Sequence, residues 1–373
     1  MIQSNKDLKI DTLTRPVMGE LHHAHCSGIV SWSDGELLAV FYWGITEAHH
    51  DQKIFAVRKK PDSDRWSDPF VIADDRFRMM GNPAIWIAPD THKLFLFFVR
   101  SWGGWAVCNP RFKTSTDRGH TWSKDKPIYR FISRGIKNPP IMTSKGTYIL
   151  PAYVEFVDYY SVFYRSEDTG KHWKDCGARV KIKDNEVPEE ILLKLKRPWG
   201  KLVLQPTLIE RMDGSLIALM RAKRPLGKMY YTESFDDGKS WSNAKPYILP
   251  NPGGGFHWLR LQSGSIAIIY NHAPVLPDHG FERNPLSVAL SEDDGKSWTY
   301  RRNIMEAKGD DVHLRIGGYP TLTQQEDGTI HATWTYNYRG EYQGQKTGLS
   351  DIKYTSFTEE WIKQKTFFND VWE

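Results

Sequence analysis

The stretch "SEDDGKSWTY" at residues 291–300 reads alone as a polar surface turn, yet the chain contains three more turns of the same kind. "STDRGHTWSK" begins at Ser115, "SEDTGKHWKD" at Ser166 and "SFDDGKSWSN" at Ser234, each with Ser, Asp, Gly and Trp at offsets zero, two, four and seven. Four fixed residue types at four fixed offsets, recurring after 51, 68 and 57 residues, constitute an internal structural period. The physics of each copy is local. Asp accepts backbone N–H groups across a tight turn, Gly supplies a positive φ, and Trp packs beneath. These Asp boxes are read as folding staples without chemistry of their own.

Two degenerate copies extend the period: Trp66 in "KKPDSDRWSDP" and Trp361 in "YTSFTEEWIK" join the tryptophans at 122, 173, 241 and 298. A second series agrees with it, six short turns between apolar runs at 33–36, 89–93, 144–147, 212–215, 262–265 and 326–329. Around each turn the order is strand, turn, strand, then a third strand, the box and a short fourth strand. The expected fold is all-β, a single six-bladed β-propeller, with blades at approximately 19–75, 76–131, 132–198, 199–250, 251–312 and 313–373. Residues 8–18 or the C-terminal "KQKTFFND" would supply an outer strand that fastens the ring. "EVPEEILLKLKRPWG" (186–200) is expected to form one short helix in a decorated loop.

Of the 373 residues, 40% are hydrophobic and 25% charged, which describes a soluble globular protein, and no apolar run is long enough for a membrane helix. The net charge of +5 is mild and Lys and Arg are interspersed with Asp and Glu, so nucleic acid is not an expected partner. Cys26, Cys108 and Cys176 have neither metal nor disulfide spacing, and the first residues lack the apolar core of a signal peptide. A cytoplasmic location is expected, or a secreted one if a leader has been removed. The 15 Trp suit both packed blades and a pocket that stacks sugars.

In this topology the starts of the innermost strands surround the axis on the face opposite the boxes. Those positions read His25, Asn82, Asn138, Gln205, His257 and Tyr319, mostly followed by Pro. Capping of strand ends is the bland role for Asn82 and Asn138. The loops leaving the second strands add aromatic and ionisable groups, among them Trp43, Glu47 and Asp51 in "YWGITEAHHD" (42–51). Such loops offer flat faces for pyranose rings and polar edges for hydroxyls. "HHAH" (22–25) and "AHHD" (48–51) carry five imidazoles near one mouth, but alternation along a strand sends neighbours to opposite faces, so at most two from each cluster could converge, and no metal or cofactor is expected.

With Asp boxes, six strand units and "LQPTLIERMDGSLIALMR" (204–221), the chain resembles the sialidase (neuraminidase) superfamily over nearly its whole length. "KNPPI", "LPNPGGG", "IYNHA" and "GYPTLTQ" resemble its neuraminidase-like Asp-box members. The resemblance implies that Arg221 and Arg283 hold a substrate carboxylate and that Tyr319 is the nucleophile, with an acid/base among Glu47, His49, His50 and Asp51. It also exposes departures. His25-Cys26-Ser27 stand where the family has Arg-Ile-Pro, Phe41-Tyr42-Trp43 where it has a buttressing Glu, and Gln205 where a Glu activates the tyrosine. An amide cannot take a proton from a phenol. Three functions follow as expectations: an exo-acting glycoside hydrolase on a terminal acidic sugar, a lyase that cleaves a uronate-containing glycan with a His and Tyr pair, and a glycan-binding propeller without turnover. In each the partner is an acidic oligosaccharide.

Overall fold

A computed structural model describes residues 2–15, 21–156, 159–183, 203–222, 226–273, 283–307, 317–337, 341–342, 345–346 and 349–364. The segment 186–200, expected as a helix, lies outside them.

The repeating unit is the hairpin read from the sequence. In the first copy His23–Ser31 pairs with Leu37–Gly44, which pairs with Lys53–Lys59, all antiparallel. Every residue of Leu37–Gly44 is buried. A short run that is apolar throughout belongs in a strand covered on both faces, as a second strand is when sheets stack around an axis.

Four sheets stand separately. They are built on Met79–Ile87 with Leu94–Ser101, on Tyr148–Glu155 with Tyr159–Ser166, on Val203–Glu210 with Leu216–Ala222, and on His257–Arg260 with Ile266–Asn271. The remaining long strands form one eight-stranded sheet, in which Gly318–Gln324, Ile330–Asn337 and Ser350–Phe357 continue into His23–Ser31 and its partners. The expectation of six independent blades is corrected here: the fold is β-propeller-like, with four separate sheets and a fused one. The fusion rests on a single parallel pair, Ser350 with His23. Ser350 Oγ donates to Ala24 O at 2.7 Å and its N–H to His22 O at 3.0 Å, so the last long strand locks onto the first. Of the candidate fasteners, residues 8–18 supply Asp11–Thr12, which pairs with Ser350–Phe357, and "KQKTFFND" lies outside the described residues beyond Gln364; Ile2–Ser4 adds an edge to Tyr300–Ala307.

All four boxes form the same turn. In the last, Ser291 Oγ donates to Asp293 Oδ1 at 2.8 Å and accepts Gly295 N–H at 2.8 Å, while Asp293 accepts the N–H and hydroxyl of Ser297 at 2.8 and 2.6 Å. Against the burial that opposes it, these bonds hold the Asp293 carboxyl down at about 2. The Trp of a box packs on the neighbouring sheet: Trp241 stacks on Phe163 at 3.8 Å, and Trp173 meets Phe97 edge-on at 5.5 Å. Hairpin turns and boxes share one face, since Arg118 of a box binds Asp34 of a turn at 2.6 Å and Asp294 of a box accepts Met212 N–H of a turn at 3.1 Å. Trp361 departs from the pattern. It lies on the helix Glu359–Lys363, capped by Thr358, and packs against Phe357.

On the turn face the axis opens into a cavity of about 680 Å³ lined by 29–31, 85–87, 89, 139–142, 144, 207–212, 214, 257–260, 262 and 321–324. The third sheet differs at the axis. Pro139 and Pro140 lack N–H donors, and its inner strand survives only as Arg134–Gly135 and Ile141–Met142. Lys137 and Asn138 lie in the gap.

Candidate functional site

The starts of four inner strands share one distortion. Cys26, Asn82, Gln205 and Tyr319 have φ of 53°, 47°, 53° and 50°, and at each the strand register slips. A left-handed non-glycine residue costs about 1–3 kcal/mol, and a bulge re-aims its side chain. The aligned position in the first strand is Cys26, not His25. His25 pairs with Tyr42 one residue earlier, and its ring nevertheless meets that of Tyr319 edge-on at 4.4 Å.

Tyr319, half-buried, is the centre of the constellation. Arg221, buried at the end of Leu216–Ala222, donates from Nη1 to the phenol oxygen at 2.7 Å and to Gly253 O at 3.1 Å. The guanidinium of Arg283 lies 5.0 Å from the Tyr319 ring centroid. A Cβ on Gly255 would fall 2.8 Å from Tyr319 Cδ1 and 3.3 Å from the Gln205 amide oxygen, and one on Gly318 would fall 2.9 Å from an Arg283 nitrogen. Glycine at both positions is what lets these groups converge. Gln205 thus turns its amide oxygen to the same glycine as Tyr319, its side chain also acting on Tyr153, and it brings no base.

Lys137, which the sequence reading passed over inside "KNPPI", is 2% exposed and its ammonium makes no hydrogen bond. Its proton affinity is lowered by burial, and its charge acts on His25, His257, Cys26 and Arg221. Among the described residues, neither Lys137, Arg221 nor Arg283 has a carboxylate within ion-pair distance. Glu155 acts on Arg221 from beyond ion-pair distance, and three cations with no paired carboxylate at one end of the axis suit an anion.

His25 is held neutral. Burial first, then His23, Arg283, Lys137 and Arg221, push its pKa well below 6.5, and its Nδ1 is buried without a partner. A neutral imidazole beside a phenol can accept a proton, and the same cations that hold it neutral oppose the charge it would gain. Tyr42 faces the same cluster, 5.6 Å from His25 and 5.9 Å from Trp105 between ring centroids.

The other expected residues divide. Glu47 is exposed, accepts Trp105 Nε1–H at 3.1 Å, and acts electrostatically on Tyr42 and Cys26. Asp51 is turned into its own loop, bound to His49 Nδ1 and accepting Ile45 N–H at 3.0 Å. Trp43 is a correction: it is 2% exposed and packs among Phe41, Phe55 and Ile352, because side chains alternate along Leu37–Gly44 and Tyr42 takes the site face. Asn82 donates to Tyr153 Oη at 3.0 Å, and Asn138 donates to the carbonyls of Gln205 and Pro206 at 3.2 and 3.0 Å, holding the bulge of Gln205 in place. His257 lines the turn-side cavity, with Leu322 N–H donating to its Nδ1 at 3.2 Å and burial lowering its pKa to about 3. The three cysteines are free, and no metal-binding group of three or more His, Cys, Asp or Glu occurs among the described residues.

The family model described as a BNR repeat-like domain matches residues 35–332. The chain belongs to that family. No curated protein sequence matches it. Solved structures similar to this BNR-repeat chain include a protein of unknown function from Dyadobacter fermentans, with TM-score 0.70 and 14% identity over 95% of this chain and 98% of that one. The intramolecular trans-sialidase of Ruminococcus gnavus, in complex with oseltamivir carboxylate, gives 0.67 and 12% over 92% and 96%. The NanB sialidase of Streptococcus pneumoniae gives 0.69 and 12% over 92% and 69%. At these identities the BNR-repeat likeness is one of fold.

Proposed function

We propose that this chain is an exo-acting glycoside hydrolase that removes a terminal acidic sugar, sialic acid-like or uronic. The observation that carries the reading is the pair of buried arginines at Tyr319, Arg221 and Arg283, with buried Lys137 close enough to act on Arg221 and none of the three in an ion pair among the described residues. Arg221 and Arg283 bind the sugar carboxylate, and Lys137 adds positive potential from below. The ring is read as six units, the eight-stranded sheet counting as two, so that His25 and Tyr319 meet across the seam between the first and the last.

In the reaction, neutral His25 accepts the Tyr319 proton as the phenol oxygen bonds to the anomeric carbon. The glycosidic C–O bond breaks and its oxygen takes a proton from Glu47. Water, deprotonated by Glu47, then attacks the anomeric carbon, and Tyr319 leaves and recovers its proton from His25. Glu47 is preferred to Asp51 because Asp51 is engaged by its own loop.

A uronate lyase is the second reading, favoured by Gln205, an amide rather than a carboxylate, whose oxygen approaches the same glycine as Tyr319. Here His25 takes the proton next to the carboxylate, Tyr319 protonates the leaving oxygen, and a C=C bond forms. One experiment tests both: acidic oligosaccharides are incubated with the protein and the products weighed. Added water supports the hydrolase, and an unsaturated product absorbing in the ultraviolet supports the lyase. Binding without product on every acidic oligosaccharide overturns both in favour of a glycan-binding protein.

A further inference from the structure

A groove of about 410 Å³ lies off the axis, walled by Arg78, Arg100, Arg111, Arg130, Asn109 and Trp102. It sits where Met79–Ile87 and Asn109–Ser115 begin and Leu94–Ser101 ends, the same ends that carry Asn82 toward the axial site.

The groove holds more positive charge than its own acids neutralise. Arg78 and Arg100 reach Asp75 at 2.7 and 3.4 Å, and Arg100 also reaches Asp125 at 2.7 Å, where Arg111 binds too. Three guanidiniums therefore share two carboxylates, and a fourth, exposed Arg130, has no ion pair among the described residues. Burial, then the charge of Arg111, lowers the pKa of Arg100. Such crowding is relieved by an anion.

The walls are set before any ligand arrives. Asn109 Nδ2 donates to Tyr129 O at 2.6 Å and Phe131 O at 2.9 Å, and its Oδ1 accepts Arg111 Nη1–H at 3.2 Å. Trp102 is 71% exposed, with the Arg78 guanidinium 5.2 Å from its ring centroid. An exposed indole beside clustered arginines has the form of a stacking platform for a charged sugar. One 3-10 turn, Trp105–Val107, joins this groove to the axial site: Val107 lines the groove, and Trp105 donates to Glu47.

We propose that the groove is a second anion site, which holds a carboxylate or sulfate on a sugar further along the same acidic glycan while Trp102 stacks on that sugar's ring. It rests on the axial reading only in taking both sites to bind one glycan.

Calorimetric titration of the native protein, Trp102→Ala and Arg130→Glu tests it, with galacturonate monomer, a galacturonate tetramer, a carrageenan tetrasaccharide carrying sulfate alone, and neutral cellotetraose. At least one charged tetrasaccharide should bind the native protein and lose tenfold or more in both variants, and which one it is identifies the anion. Monomer binding should stay unchanged. A tetramer that binds through the groove while Arg221→Ala changes nothing would overturn the axial reading and leave the groove standing. The proposal is overturned if neither charged tetrasaccharide binds the native protein, if the variants bind them as well as the native protein does, or if cellotetraose binding falls equally.

Discussion

Arg221 donates a 2.7 Å hydrogen bond to the phenol oxygen of Tyr319, although 98 residues separate them and they belong to different sheets. The bond fixes the phenol beside His25, whose ring meets the Tyr319 ring at 4.4 Å, and leaves the remaining Arg221 donors for a ligand.

Tyr319→Phe keeps the ring and its packing but removes the oxygen. Turnover on a substrate found by the oligosaccharide panel should fall by at least about 100-fold, with an unchanged melting temperature. A variant that retains full turnover would show that the phenol has no chemical role.

Arg221→Ala should cost acidic ligands on the order of 2–5 kcal/mol of binding while a neutral analogue loses little, because the pairing it removes is buried and charged. Titration with matched acidic and neutral sugars measures the difference. Equal losses would make the arginine structural.

Gln205→Glu separates the two reactions. In a hydrolase the new carboxylate stands next to Tyr319 as an additional base, so turnover should rise. In a lyase its charge opposes the carboxylate and the developing enolate, so turnover should fall.

Stability should decline in mild acid. Burial lowers the pKa of His25 well below 6.5, of His257 to about 3 and of His331 to about 4. The unfolded chain protonates these groups near 6.5, so their neutral state stabilises the fold fully above that pH. The contribution is lost as pH falls toward the folded values, by about 1.4 kcal/mol per unit for each group. Denaturation midpoints that stay level from pH 7 to 4.5 would contradict their burial as neutral rings.

Asp236→Ala removes the acceptor of three hydrogen bonds, one from Ser234 at 2.9 Å and two from Ser240 at 2.9 and 2.5 Å. It should destabilise by about 1–3 kcal/mol in chemical denaturation. Turnover per folded molecule should be unchanged, since the boxes share the face of the hairpin turns and not that of Tyr319.

Features that depend on a few neighbouring residues are legible along the chain. A box is one turn closed by its own Ser, Asp and Gly, so its four copies are legible without any knowledge of the fold. The hairpins are legible because their turns and apolar runs are contiguous. Arg221, Arg283, Gln205 and Tyr319 were within reach because motif resemblance marks positions along the chain.

Tertiary structure decided what depends on parity, register and distant approach. A bulge at Cys26 shifts the first inner strand by one residue, and strand alternation sends Tyr42 to the site and Trp43 to the core. The fusion of the first and last strand sets hangs on one residue pair more than 300 positions apart, His23 and Ser350. Lys137 looks like any surface lysine until two prolines interrupt its strand and the ring closes over it. Its ammonium then acts on Arg221 from another sheet, a convergence that no local pattern encodes because packing around the axis alone brings these segments together.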